Sequence, residues 1–162
     1  MSDTTSVTPN PKTSDAGEGP QPLVSVCIPV YNCERYIGEA IESVLNQTLQ
    51  DFELIVCDNC STDNTLKVVE GYRDPRIRVF RNERNLGQSA NFNKSLSLSR
   101  GKYIKLLCSD DIFYPDCLKA QAEVLEDPRN ASVVMVFCSR DIMRSDGKRI
   151  MTWGYWRSRR RR

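Results

Sequence analysis

The sequence predicts an α/β fold, a mainly parallel sheet with helices on both faces. Three observations carry this expectation. Four strand-like apolar runs are each followed by a segment of helical periodicity. The exposed polar residues gather just after those runs, where the strands of a parallel sheet would end. The 162 residues are 40% hydrophobic and 27% charged, enough for one soluble domain with a real core.

The elements follow in order. Leu23 to Val30 is β-rich. Tyr36, Ile37, Ala40, Ile41, Val44 and Leu45 recur at helical spacing and give one apolar face to a helix from about Glu34 to Gln47. Phe52 to Cys57 reads as a buried strand. Ser61-Thr62-Asp63 then opens a helix with a hydroxyl cap and an acid in its first turn, running to about Tyr72 before Asp74-Pro75. Ile77 to Phe80 is a third strand, Gln88 to Ser99 a third helix, and Lys102 to Leu107 a fourth strand. Pro115 suits the first turn of a helix continued by Leu118, Ala122 and Leu125 to Asp127-Pro128. Ser132 to Cys138 reads as a further strand. Ser145-Asp146-Gly147-Lys148 is a turn, with a hairpin returning through Arg149 to Trp153. The ordered domain is expected over residues 23–152. It is preceded by a Ser-, Thr-, Pro- and Gly-rich leader over 1–22 expected to be disordered, and followed by an aromatic and arginine-rich tail over 153–162.

Composition narrows the chemistry. The chain has no histidine, which removes Ser-His and Cys-His nucleophile pairs and leaves acid–base work to carboxylates, Tyr, Lys or Cys. Five of the last six residues are arginine, so without them the net charge falls from +2 to −3. A mildly acidic body is not a nucleic-acid-binding surface. The tail reads as a solvated terminus, with peripheral contact to anionic lipid as the alternative. No stretch approaches the roughly 18 consecutive apolar residues of a spanning helix. The seven cysteines are odd in number and lie mostly in apolar runs, as expected for reduced thiols in the cytoplasm.

Four predicted strand ends supply candidate site residues. The first ends in Pro29-Val30-Tyr31-Asn32 with Glu34 following, the second in Asp58-Asn59. The third is followed by Asn82, Asn85 and Gly87, and the fourth by Ser109-Asp110-Asp111. Each has a plain reading beside a functional one. The adjacent acids Asp110 and Asp111 would repel unless Mg²⁺ or Mn²⁺ offset their charge, or they form an acidic loop ahead of a helix. Asp58 suits hydrogen bonding to a base or ribose, or caps the helix at Ser61. Gly87 admits close backbone approach or makes a turn, and Tyr31 stacks on a base or packs.

In combination these segments resemble family 2 glycosyltransferases, which have a Rossmann-like GT-A fold. Val24-Ser25-Val26-Cys27-Ile28-Pro29-Val30-Tyr31-Asn32 with Glu34 is similar to the family's opening strand and loop. Glu42-Ser43-Val44-Leu45-Asn46-Gln47-Thr48 resembles the end of its first helix. Phe52 to Asp63 is similar to the strand bearing the base-binding Asp, Asn85-Leu86-Gly87 with Asn93 resembles its Asn/Gly segment, and Leu107 to Asp111 stands at its DXD-type metal motif. The resemblance implies binding of a nucleotide-diphosphate sugar and transfer of the sugar to an acceptor hydroxyl. UDP is the family's habitual nucleotide, with GDP and dTDP open. Pro29, Tyr31, Asn32, Glu34 and Asp58 would surround base and ribose, joined by Asn85, Gly87 and Asn93. Asp110 would face the ribose or sugar, and Asp111 would ligate the cation.

The sequence departs from the family pattern at three places. Cys108 stands where many members have the first Asp of the acidic motif. Asn59 and Cys60 replace the usual Asp and Gly after Asp58. Family members continue into a segment that binds the acceptor and supplies the base, so the resemblance implies an incomplete domain here, with no catalytic base to name. Two rival readings stand beside it: a module that binds a nucleotide-sugar without transferring it, and a thiol oxidoreductase built on Cys57-Asp58-Asn59-Cys60.

Overall fold

The computed structural model describes residues 20–144 and 147–154, which form two compact units divided after Pro115. The first unit holds strand β1 (Val24–Val30), helix α1 (Ile37–Leu45), β2 (Phe52–Asp58), α2 (Thr65–Glu70), β3 (Ile77–Arg81), α3 (Gln88–Ser97) and β4 (Tyr103–Leu106). All four strands pair in parallel in the order β3-β2-β1-β4, with helices on both faces. Every residue of β1 and β2 is buried, as parallel strands covered on both sides must be. On one face Cys27, Ile55, Cys57 and Phe80 form a core closed by Leu96 and Leu98. On the other, Val26, Ile28, Leu54 and Val56 are fully buried, as are Ile37, Ala40, Ile41 and Val44 of α1.

The register aligns the tips of the two central strands. Val24 pairs with Phe52 and Val30 with Asp58, so both end at one level. The opposite ends are fastened by charge. Ser25 pairs across the sheet with Glu53, whose carboxylate is buried. Ser25 Oγ donates to it at 2.6 Å, the Arg100 N–H at 2.8 Å, and the guanidinium groups of Arg78 and Arg100 at 2.8 and 3.0 Å. Gly101 follows because nothing larger fits: a Cβ there would lie 2.5 Å from the Ser25 nitrogen.

Two helices begin later than their periodicity suggests. Residues 34–36 form turns ahead of α1, and Ser61 to Asn64 form a loop ahead of α2. The two segments hydrogen-bond to each other, the Glu34 N–H to Asp63 and the Asn64 N–H to Glu34, while Asp63 also accepts from the Thr65 N–H at the start of α2.

The second unit holds α4 (Cys117–Glu126), a 3₁₀ turn at Pro128–Asn130, and an antiparallel hairpin of β5 (Arg140–Met143) and β6 (Arg149–Trp153). Asp127 caps the 3₁₀ turn by accepting from the Arg129 N–H at 2.9 Å. The expected strand over Ser132 to Cys138 is not formed. Val134 is 94% exposed, and Met135 and Phe137 are also exposed. β-branched residues make a strand only where a neighbour takes up their backbone groups, and in this unit the ladder joins β5 to β6. Arg140 stacks on the Trp153 ring, 5.3 Å from its centroid. Of the expected turn, Ser145 and Asp146 lie outside the described residues, as do the leader to residue 19 and the tail from Tyr155. No helix among the described residues is long and apolar enough to cross a membrane.

Burial alone would raise the Glu53 carboxyl, but hydrogen bonds from Ser25, the Arg100 N–H and Arg78 outweigh it and hold it below its ordinary range. A depressed folded value means stabilisation fully present above the unfolded value of about 4.3 and lost as pH falls through the folded one. Glu53→Gln is expected to cost about 2 kcal/mol at pH 7, since it removes charge-assisted hydrogen bonds. Urea unfolding across pH 3–7 checks this: the variant should have a lower midpoint at neutral pH and a shallower decline in acid.

Candidate functional site

The carboxyl ends of β1, β2 and β4 and the start of α3 enclose a cleft of about 440 Å³. Pro29, Val30 and Tyr31 line it from the end of β1, and Asn59 from the residue after β2. Asn85, Gly87, Gln88, Asn91 and Phe92 form the α3 wall, and Cys108, Ser109 and Asp110 the far side. Its volume lies within the range of small-molecule sites.

The α3 wall is positioned by a network of amides. Asn59 Nδ2 donates to Asn85 Oδ1 at 2.9 Å and to the Gly87 carbonyl at 3.4 Å. Its Oδ1 accepts from the Leu86 N–H and from Asn82 Nδ2, both at 2.9 Å. Asn82 Nδ2 also donates to Asn91 Oδ1, and Asn91 Nδ2 donates to the Cys57 carbonyl at 3.0 Å. Gly87 has φ +83°, a left-handed conformation that glycine adopts at no steric cost, and it caps α3.

Asn32, Glu34 and Asp58 sit behind the β1 tip and do not line the cleft. Asn32 Oδ1 accepts from the Thr62 N–H at 2.8 Å, and Ser61 Oγ accepts from the Asn32 N–H. Glu34 accepts from the Asn64 N–H and Nδ2, both at 2.8 Å, while Asp63 accepts from the Glu34 N–H. Asp58 is fully buried; its carboxylate accepts from the Ser61 N–H at 3.2 Å and lies 3.4 Å from Arg81 Nε. The helix that Asp58 was weighed as capping begins only at Thr65, so Asp58 instead closes the loop between β2 and α2. These three residues shape the loop beside the cleft.

Of the residues that the resemblance assigns to the site, Pro29, Tyr31, Asn85, Gly87 and Asp110 meet at the cleft, and Val30, Asn59 and Ser109 from the predicted strand ends line it with them. Asn93 is exposed on α3 and does not line it; Asn91, two residues earlier, does. Asn91, Gln88 and Phe92 were not singled out from the sequence. Their signal was slight, since only the one-turn offset from Gly87 marks Asn91 as facing inward.

The acidic loop brings Cys108 Sγ and the carboxylates of Asp110 and Asp111 within 4.8 Å of one another. The Asp111 N–H donates to the Cys108 carbonyl at 3.1 Å, folding the loop so that the two acids stand together. Paired carboxylate oxygens suit a hard divalent cation of the Mg²⁺ or Mn²⁺ type.

The Cys57-x-x-Cys60 pair does not have the features of a redox centre. Cys57 is fully buried in the core, donates to Asn91 Oδ1 at 3.2 Å, and is pushed up by burial to about 11. Thiolate, the reactive form, is therefore scarce at neutral pH. Cys60 lies at φ +62°, where many relatives of the resembled family carry glycine.

A parallel sheet with a polar cleft at its carboxyl ends and an acidic loop at the rim is the arrangement that the resemblance to a GT-A glycosyltransferase domain implies. The chain belongs to glycosyl transferase family 2, whose profile matches residues 25–162. It is 42% identical over 122 residues to the uncharacterized glycosyltransferase MJ1057 of Methanocaldococcus jannaschii, covering 73% of this chain and 42% of that protein. Residues 1–349 of S. aureus TarS, solved in complex with UDP-GlcNAc, align with a TM-score of 0.62 at 29% identity, over 74% of this chain and 40% of that one. The mannosyltransferase PcManGT of Pyrobaculum calidifontis, solved with GDP-Man and Mn²⁺, aligns with a TM-score of 0.60 at 25% identity, over 75% and 35%. The chain thus spans about two-fifths of the length of these relatives.

A β-carbon at φ +62° is strained by about 1–2 kcal/mol, part of which glycine returns through its own chain entropy. Cys60→Gly is expected to stabilise the fold by about 1 kcal/mol in urea unfolding. Asn91→Ala should instead destabilise it by about 2 kcal/mol, because the Cys57 carbonyl and Asn82 amide lose a buried partner.

Proposed function

We propose that this domain binds a nucleotide-diphosphate sugar in the cleft, with Mg²⁺ or Mn²⁺ at the acidic loop, as the donor half of a glycosyltransferase. The observation that supports this most is the meeting of Tyr31, Asn85, Gly87 and Asp110 around one cavity at the sheet's carboxyl end. Family membership and the nucleotide-sugar complexes of the two structural relatives support it further.

In this reading Pro29 and Tyr31 offer an apolar and aromatic wall for the nucleobase. Asn59, Asn85 and Asn91 hold the facing wall, and Gly87 admits the ligand close to the backbone. Asn32, Glu34 and Asp58 act by fixing the loop behind Tyr31, with Asp58 reaching a base only through rearrangement of its Arg81 pairing. Asp110 and Asp111 would hold the cation, whose charge offsets that gathering on the departing diphosphate. The transfer joins the anomeric carbon to an acceptor oxygen and releases nucleoside diphosphate and a proton. UDP is the favoured nucleotide. A cytoplasmic setting belongs to the same reading, on the odd number of cysteines and their place in apolar runs.

Calorimetric titration with UDP and UDP-sugars, with and without Mn²⁺, tests the assignment. Binding should strengthen at least about ten-fold with Mn²⁺, and Asp111→Ala should abolish that gain, as expected for loss of a metal ligand. A folded protein that binds no nucleotide under either condition would overturn the proposal. Binding without turnover towards any acceptor would favour the binding-module reading.

A further inference from the structure

The Ser43–Gln47 segment resembles the end of the family's first helix and has no part in the cleft. Its side chains point elsewhere to good purpose. Gln47 is 1% exposed, and its Nε2 donates to the Ser43 carbonyl at 2.9 Å and to the Tyr114 carbonyl at 2.8 Å. Ser43 Oγ accepts from the Phe113 N–H at 3.1 Å while donating to the Ala40 carbonyl at 2.8 Å. The Thr48 N–H donates to the Pro115 carbonyl at 2.9 Å. Three consecutive residues leaving the acidic loop are therefore tied to the end of α1.

The other end of the loop is tied to β1. The Leu107 N–H donates to the Cys27 carbonyl at 3.0 Å, continuing the β1–β4 ladder by one residue. Between these anchors Asp110 and Asp111 are exposed. Exposed acids on a short loop are not held by burial in the core, so the anchors at either side limit where the loop can go. A buried carboxamide with both donors used on carbonyls is a rigid tie, since breaking it leaves buried polar groups unpaired.

We infer that Ser43 and Gln47 are positioning residues for the Asp110–Asp111 pair, governing divalent-cation-dependent nucleotide binding without touching the ligand. The inference rests on the donor-site reading above. It separates two roles in the cleft: the walls around Tyr31 and Asn85 bind the nucleotide itself, and the tie to α1 determines what the cation adds.

The test compares UDP affinity with and without Mn²⁺ in wild type, Ser43→Ala, Ser43→Thr and Gln47→Met, with hydrogen–deuterium exchange over residues 107–115. Ser43→Ala is mild enough to retain the fold should Gln47→Met lose it. Both variants are expected to weaken Mn²⁺-dependent binding about ten-fold, the scale of losses from residues that support metal ligands. Metal-free binding should stay unchanged, Ser43→Thr should restore affinity, and exchange should quicken in 107–115 alone. Unchanged Mn²⁺-dependent affinity in a folded Ser43→Ala, or equal loss with and without Mn²⁺, would overturn the positioning role. Absence of nucleotide binding in wild type would mark failure of the donor-site reading itself, a distinct result.

Discussion

The carboxamide of Asn59 is the constraint on which the cleft depends. It makes four hydrogen bonds, two donated and two accepted, which is the full capacity of the group. Its orientation is dictated by its partners, because the Gly87 carbonyl can only accept and the Leu86 N–H can only donate. An aspartate, usual at this place in the resembled family, could not donate to either Asn85 or Gly87. The substitution therefore suits the wall it supports, and Asn82 and Asn91 extend the same amide chemistry to the Cys57 carbonyl beneath. Residues from β2, the β3–α3 connection and α3 become one polar assembly.

The central strands carry this assembly at one end and a charge cluster at the other. Glu53 and Asp58 lie at opposite ends of β2, both buried, both facing arginines. At Glu53 the partners are numerous and the approach is tight, with Gly101 held against Ser25. At the Asp58 end the chain opens into loops shaped by side chain–backbone bonds, leaving a cavity. The asymmetry follows strand direction: the strand-to-helix loops leave at the carboxyl ends and the helix-to-strand loops return at the other, and in open parallel sheets ligands bind at the carboxyl ends.

The two central strands were legible in the sequence because fully buried parallel strands write themselves as apolar runs; β3 and β4, only partly buried, still carry enough β-branched and aromatic residues to fall within a residue of where they were expected. The helix starts were less so. Ser61 to Asp63 look like cap residues, and Asp63 does accept from the Thr65 N–H at the start of α2, but Asp63 and Ser61 also accept from the Glu34 and Asn32 N–H groups, as Glu34 accepts from that of Asn64. Such reciprocal capping depends on two segments thirty residues apart lying side by side, which no local pattern records. Ser132 to Cys138 shows the opposite failure, a β-rich run that needs a neighbouring strand to become one. Asn82 and Asn91 were illegible as buried residues because an amide's burial depends wholly on whether partners await it.

The acidic loop illustrates how a short site can be exposed and still well placed. Asp110 and Asp111 must be accessible to a cation and a diphosphate, so they cannot be packed into the core. Their placement draws on the backbone at either side. On one side the β1–β4 ladder supplies it, a regular feature of the fold. On the other, no strand follows directly, and the end of α1 provides acceptors and donors in its place through Ser43, Gln47 and Thr48. A helix whose apolar face is committed to the sheet thus uses its last turn for a second task. That is a physical reason for a polar Ser-x-x-x-Gln pair to sit at the end of a helix otherwise buried along Ile37, Ile41 and Val44.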